Sequence, residues 1–287
     1  MNANHPSALD WRALEGFDAN TWSVVREEAH WAMQVLAAIG YSHIEPADDD
    51  SQSNAGWVDG MQILVGRRIE REPECFASLS PSRMILALHE PGGETLDEFA
   101  LAGATLDEAY AFMESALGRR YGADPAPLNR PPYEMPRQAL ATGKQFVSAD
   151  ASGQEELARW FHNANLAMRD LRARTDGATG PRVWPHHFDM GMLISLDPDH
   201  DAESGRSIGI GMTPGDASLP APYWYVNPWP APKVELPAAR IGQWHREGWT
   251  GLVLDAKTLL EAGDAQEELC RSFLDESVAM CRGLLGA

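Results

Sequence analysis

Apolar residues recur at helical spacing in four stretches of the chain. From Thr21 to Ile39, Trp22, Val25, Ala29, Ala32 and Leu36 fall on one stripe, and Gly40 supplies a stop. Thr105 to Arg119 opens on Thr105-x-x-Glu108, the spacing of a capping box. Ser152 to Arg174 opens on Ser152-x-x-Glu155, sets Leu157, Phe161, Ala164, Met168 and Leu171 on one face, and ends before Gly177. The last helix opens on Asp264-x-x-Glu267 and carries Leu269, Phe273, Val278 and Leu284. Between these lie strand-like runs bounded by turn residues. Trp57–Ile69, Cys75–Leu79 and Met84–His89 occupy the first interval. Arg182–Leu196, Ser207–Met212, Tyr223–Asn227 and Trp249–Leu254 occupy the second.

Each half thus reads helix, strands, helix. Consecutive strands without intervening helices predict an α+β fold with antiparallel β-sheet, helices packed on one side, and two fused similar halves. Residues 1–121 form the first half, 122–151 a proline-rich connector, and 152–287 the second half, the whole expected to be one compact unit.

The second half carries the chemistry. In Trp184–Leu196 the even positions are largely apolar and predict a core face that includes His186 and Phe188; the odd positions, with His187 and Asp189, are more polar. Ser207–Thr213 splits the same way, with Gly209 and Gly211 on the polar side. Paired glycines on one strand face imply that something packs close to the backbone, either a ligand or an aromatic ring from elsewhere in the chain. Thr213-Pro214-Gly215-Asp216 reads as a turn in which Asp216 caps local N–H groups. Tyr223, Tyr225 and Asn227 share a face and suit either a pocket wall or a half-buried strand. Two runs, Trp184–Asp189 and Trp244–Trp249, each place a histidine two residues before a carboxylate. On extended strands His187 with Asp189, and His245 with Glu247, project as polar forks.

The segments Arg182–Asp189, Gly209–Asp216, Pro222–Pro230 and Trp244–Trp249 resemble, in that order, the motifs of a family of uncharacterised bacterial proteins akin to a domain-of-unknown-function group. The resemblance is confined mainly to the second half. It implies where a site lies but brings no activity with it. Thr213 stands where the family pattern leads one to expect serine, which keeps the hydroxyl.

Two imidazoles and two carboxylates suit a divalent metal such as zinc, iron or manganese, with His187, Asp189, His245 and Glu247 as ligands and Asp216 or His186 behind them. The same residues suit metal-free acid–base work. On the first helix His30 and Gln34, one turn apart on a stripe with Arg26, read as a solvated face or as groups reaching a pocket. Gly205-Arg206-Ser207-Ile208-Gly209 matches G-x-S-x-G but follows the acidic loop 197–203 and precedes a strand, so it is no nucleophile elbow. Gly209-x-Gly211-x-x-x-Gly215 lacks the following helix that a phosphate loop requires.

Composition narrows the partners. A net charge of -19 and the lack of basic clusters exclude general binding to nucleic acid or an anionic membrane. Three scattered cysteines read as reduced thiols, and the first residues lack a signal-peptide pattern, so a cytoplasmic location is expected. The chain is therefore read as a small-molecule enzyme or binder. His186, Thr213, Asp216, Tyr223, Tyr225 and Trp249 line its ligand pocket beside the His/carboxylate set. The alternative is a structural or protein-interaction protein in which these residues stabilise the sheet.

Overall fold

The computed structural model describes residues 10–124, 126–135, 139–197 and 205–287; most of the acidic loop 197–203 and the first residues of the chain lie outside this set. The architecture is α+β with two antiparallel sheets. By compactness the chain divides into an N-terminal unit, residues 17–158 with 183–188, and a C-terminal unit, residues 10–16, 159–182 and 189–287. The division falls inside a helix, at residue 159, rather than in the stretch 122–151.

In the N-terminal unit, α1 (Trp22–His43) precedes a five-stranded meander in sequential order, β1 (Gly56–Val58), β2 (Ile63–Val65), β3 (Phe76–Ser80), β4 (Ile85–His89) and β5 (Thr95–Ala100). Helix α2 (Leu106–Tyr121) follows. Helix α1 packs on β3, and α2 on β4 and β5. The buried Ala77, Leu79, Leu86 and Leu88 supply the sheet's apolar face. The capping box of α2 forms as its sequence predicts, and Gly122 closes that helix in the left-handed conformation at φ 59°. The long run expected over Trp57–Ile69 is two strands around a turn in which the Gln62 N–H donates to the Val58 carbonyl at 2.8 Å. Strand β5, Thr-Leu-Asp-Glu-Phe-Ala, lacks a strand-like composition. Its pairing with β4 overrides local propensity.

The second sheet has six antiparallel strands in the order β10-β11-β9-β8-β7-β6. They are β6 (Arg182–Trp184), β7 (Asp189–Ser195), β8 (Ser207–Thr213), β9 (Tyr223–Trp229), β10 (Gln243–His245) and β11 (Gly251–Asp255). Helices α3 (Ala151–Ala173), α4 (Ala256–Glu261) and α5 (Gln266–Leu285) complete the fold. Helix α5 packs on β8, β9 and β11. The expected core parity holds through β7 and β8: Met190, Met192 and Ile194, then Ile208, Ile210 and Met212, are all buried. Trp224, Val226, Leu252 and Leu254 continue that face.

Two helix starts differ from their sequence signals. Helix α3 is capped by Asp150, whose carboxylate accepts from the Gly153 N–H at 2.9 Å, not by Ser152. Asp264 lies in a 3-10 turn ahead of α5, which starts at Gln266 without a side-chain cap. All three cysteines are free and buried. Among the described residues, no helix is long and apolar enough to cross a membrane.

Candidate functional site

The polar face of the C-terminal sheet gathers most of the residues singled out from the sequence. Register sets Gly211 opposite both Gly191 and Tyr225, with Thr213 opposite Tyr223. Because side chains alternate, Asp189, Gly209, Gly211, Thr213, Tyr223, Tyr225 and Asn227 all project from the side opposite the methionine–isoleucine core. The glycines are there to be covered. A Cβ at Gly211 would lie 2.2 Å from Cζ and Oη of Tyr225, so that ring lies flat across β8. A Cβ at Gly209 would lie 2.4 Å from Oδ1 of Asn227. At Gly211 the approaching group is an aromatic ring from within the chain, and at Gly209 it is the Asn227 amide.

Having crossed Gly211, the Tyr225 hydroxyl donates to Oδ2 of Asp189. Asp189 is 9% exposed. Burial pushes the Tyr225 hydroxyl well above its ordinary pKa, and the adjacent Asp189 charge and hydrogen bond push it the same way. Tyr223 repeats the arrangement. Its hydroxyl donates to Oδ2 of Asp216 at 2.6 Å. Burial first, and then the Asp216 hydrogen bond and charge, raise its pKa. Oδ1 of Asp216 accepts from the Ser218 and Leu219 N–H groups at 2.6 and 2.8 Å, so one carboxylate closes the turn and anchors the tyrosine. Thr213 serves the same turn, its Oγ1 accepting from the Gly215 N–H at 3.2 Å. Both residues bond within the loop, as the turn reading of Thr213–Asp216 expects.

The aromatic side chains run in a row. Tyr223 and Tyr225 have ring centroids 6.3 Å apart, Tyr225 and Trp249 meet edge-on at 6.0 Å, and His245 lies 4.5 Å from Trp249. Gly251 makes room for Trp249, since a Cβ there would lie 2.4 Å from its Cζ3. Trp249 and His245 are half-exposed, whereas Tyr223 is buried.

The two forks do not form. Residues 185–188 are a turn between β6 and β7, with Phe188 at φ 57° and its N–H donating to the Trp184 carbonyl at 2.7 Å. Strand parity is lost there: His186 is exposed, not core, and His187 is exposed on the turn while Asp189 opens β7. By compactness His187 belongs to the N-terminal unit and Asp189 to the C-terminal one. At the other run, β10 ends at His245, whose Nε2 donates to the backbone carbonyl of Glu247 at 2.7 Å, and the Glu247 side chain is exposed. Among the described residues, no group of three or more His, Cys, Asp or Glu is placed to hold a metal ion. The expected set of His187, Asp189, His245 and Glu247 therefore does not fit a zinc, iron or manganese centre.

In the N-terminal unit, Gln34 is buried and His30 partly so, and both bond to the chain. Nε2 of each donates to the Pro185 carbonyl at 2.8 Å, and the His30 ring stacks on Phe188 at 5.2 Å. The Tyr133 hydroxyl donates to Oε1 of Gln34 at 2.6 Å. Burial lowers the His30 pKa to about 4 against the raising effect of the Pro185 carbonyl, with Arg26, His187 and His186 pushing it further down. This cluster fixes the turn that carries His186 and His187. Nothing in the local sequence marked Tyr133, 99 positions from Gln34, as its partner.

No family model matches the chain, and neither a curated protein nor a solved structure does.

Proposed function

We propose that the protein is a small-molecule enzyme or binder whose site is the polar face of the C-terminal sheet. The observation that carries this reading is the continuous row Tyr223–Tyr225–Trp249–His245, fixed at one end to the buried carboxylate Asp189 and the exposed carboxylate Asp216. The half-exposed Trp249 and His245, their rings tilted 33° to each other, offer aromatic surface that suits a ring-bearing ligand. Tyr225, its hydroxyl held on Asp189, is a neutral phenol across the physiological range and forms the fixed wall behind the platform. The reading is metal-free. It places the protein in the cytoplasm, in keeping with its acidic, cysteine-poor sequence.

The test is a panel of monosaccharides, aromatic alcohols and aromatic amines, scored by tryptophan fluorescence and by thermal shift. A hit is expected to be lost in Trp249→Ala and weakened in Asp189→Asn. One observation favours a second reading, in which the row only stabilises the sheet: Tyr223, Tyr225 and His245 already bond to groups of the chain itself. A panel without hits, together with variants that lose stability alone, supports that second reading.

A further inference from the structure

The face of the N-terminal sheet opposite Ala77, Leu79, Leu86 and Leu88 carries a separate, buried cluster. Ser78 on β3 and His89 on β4 are 2% and 3% exposed, with Ser78 Oγ 2.7 Å from His89 Nε2. Register sets Ser78 opposite Ala87 and Phe76 opposite His89, so Ser78 and His89 are diagonal neighbours on one face. The β4–β5 pairing shifts between Leu88 and His89, which sets Thr95 opposite His89. The other ring nitrogen, Nδ1, lies 3.3 Å from Thr95 Oγ1, and the backbone of Gly93 accepts from the ring. The tautomer protonated on Nδ1 leaves the Nε2 lone pair to accept from the Ser78 O–H. Burial lowers the His89 pKa, so the imidazole is neutral at pH 7. Both residues line a cavity of about 330 Å³ floored by Ile63, Ile85 and Ala87 and edged by Ser80, Ser82 and Arg83. This is the lower end of the small-molecule range.

We propose that Ser78 and His89 form a nucleophile–base pair that cleaves esters of small acyl groups. The serine hydroxyl, the imidazole acceptor and a third group orienting the imidazole are the parts that activated-serine chemistry needs. Ser78 Oγ adds to the acyl carbon as its proton passes to His89 Nε2. The ester C–O bond then breaks and the leaving alkoxide takes that proton. Water, deprotonated by His89, attacks the acyl-Ser78 ester and releases the carboxylic acid, and the proton returns to Ser78.

The experiment treats the full-length protein with a fluorophosphonate probe and maps the adduct by mass spectrometry, alongside hydrolysis of p-nitrophenyl acetate. A single adduct on Ser78 is expected, with the labelling rate in His89→Gln reduced by about 100-fold or more, the scale of general base catalysis. Ser78→Ala, which removes one oxygen, is expected to abolish both labelling and hydrolysis while its circular dichroism matches the parent. Absence of a Ser78 adduct in the parent protein overturns the proposal, whatever the variants do. So does labelling at an equal rate in His89→Gln, or ester hydrolysis that persists in Ser78→Ala.

Discussion

Gly211→Ala is the most direct test of how the polar face is built. A methyl group there would sit 2.2 Å from two atoms of the Tyr225 ring, against an ordinary carbon–carbon contact of roughly 3.5–4.0 Å. The ring must move by more than an ångström, and the Tyr225–Asp189 hydrogen bond breaks with it. Losing a buried hydrogen bond to a charged group costs about 1.5–3 kcal/mol. Overpacking adds about 1–3 kcal/mol. Replacing a strand glycine returns about 0.5–1 kcal/mol of chain entropy, and Gly211 has no left-handed φ to oppose the change. The net expectation is a loss of about 3 kcal/mol. In a Tyr225→Ala background the obstruction is gone, and the same substitution becomes neutral or stabilising by about 0.5–1 kcal/mol. The double-mutant cycle, measured by urea unfolding with circular dichroism and tryptophan fluorescence, is therefore expected to show coupling of about 3–4 kcal/mol. If Gly211→Ala costs the same in both backgrounds, the glycine is not there to admit the ring and the account of this face fails.

Further expectations concern titration, capping and metal. Tyr223 and Tyr225 have folded pKa values raised above 10, so their stabilisation is full below pH 10 and declines above it by about 1.4 kcal/mol per pH unit for each phenol. Tyr225→Phe should flatten that alkaline limb in urea titrations, and an unchanged slope refutes the assignment. His30 is lowered from 6.5 to about 4, so its stabilisation is full above pH 6.5 and is lost as pH falls toward 4, about 3 kcal/mol in all. His30→Gln keeps a donor for Pro185 and should remove that acid-side loss; the pH dependence of the unfolding midpoint decides. The buried Glu28 accepts from the Val147 and Ser148 N–H groups, so Glu28→Gln, which turns one acceptor into a donor, should cost about 1–3 kcal/mol by urea unfolding. Untagged protein analysed for metals should carry none in stoichiometric amount, and a stoichiometric metal lost in Asp189→Asn would overturn the metal-free reading.

Periodicity made the long helices and the core face of the second sheet legible. The alternation of Met190, Met192 and Ile194 with Gly191, Leu193 and Ser195 is satisfied when the methionine–isoleucine face is buried, as it is. The glycines at 209 and 211 signalled a close approach, and Asn227 and Tyr225 at matching spacing were its source. Register was not legible, so the sequence could not show that Tyr225 reaches Asp189 across β8. Polar residues that read as ligand groups, Thr213 and Asp216, turned out to close their own turn. Short hydroxyl and carboxylate side chains next to glycine find backbone partners within three residues before they find anything distant. The β4–β5 pairing and the bulge at His89 were equally hidden, since a polar edge strand has no apolar alternation to announce it.

The failure of the forks follows from one residue and its distant partners. Pro185 has no N–H to give to a ladder, so a strand running through it loses a bond and favours a break there. Its carbonyl then needs a donor, and His30 and Gln34 supply two from α1. With the turn held, Phe188 takes a left-handed conformation that is unfavourable for an aromatic residue, offset by burial of its ring against His30. A strand's side-chain period is two, so any interruption between His187 and Asp189 destroys the shared face on which the fork depended. Two residues only two positions apart consequently serve different parts of the molecule. Asp189 opens β7 and faces Tyr225, whereas His187 rides on a turn fixed by the first helix. The spacing His-x-Asp puts both side chains on one face only where the backbone between them is extended, and here the turn 185–188 and the left-handed Phe188 interrupt it.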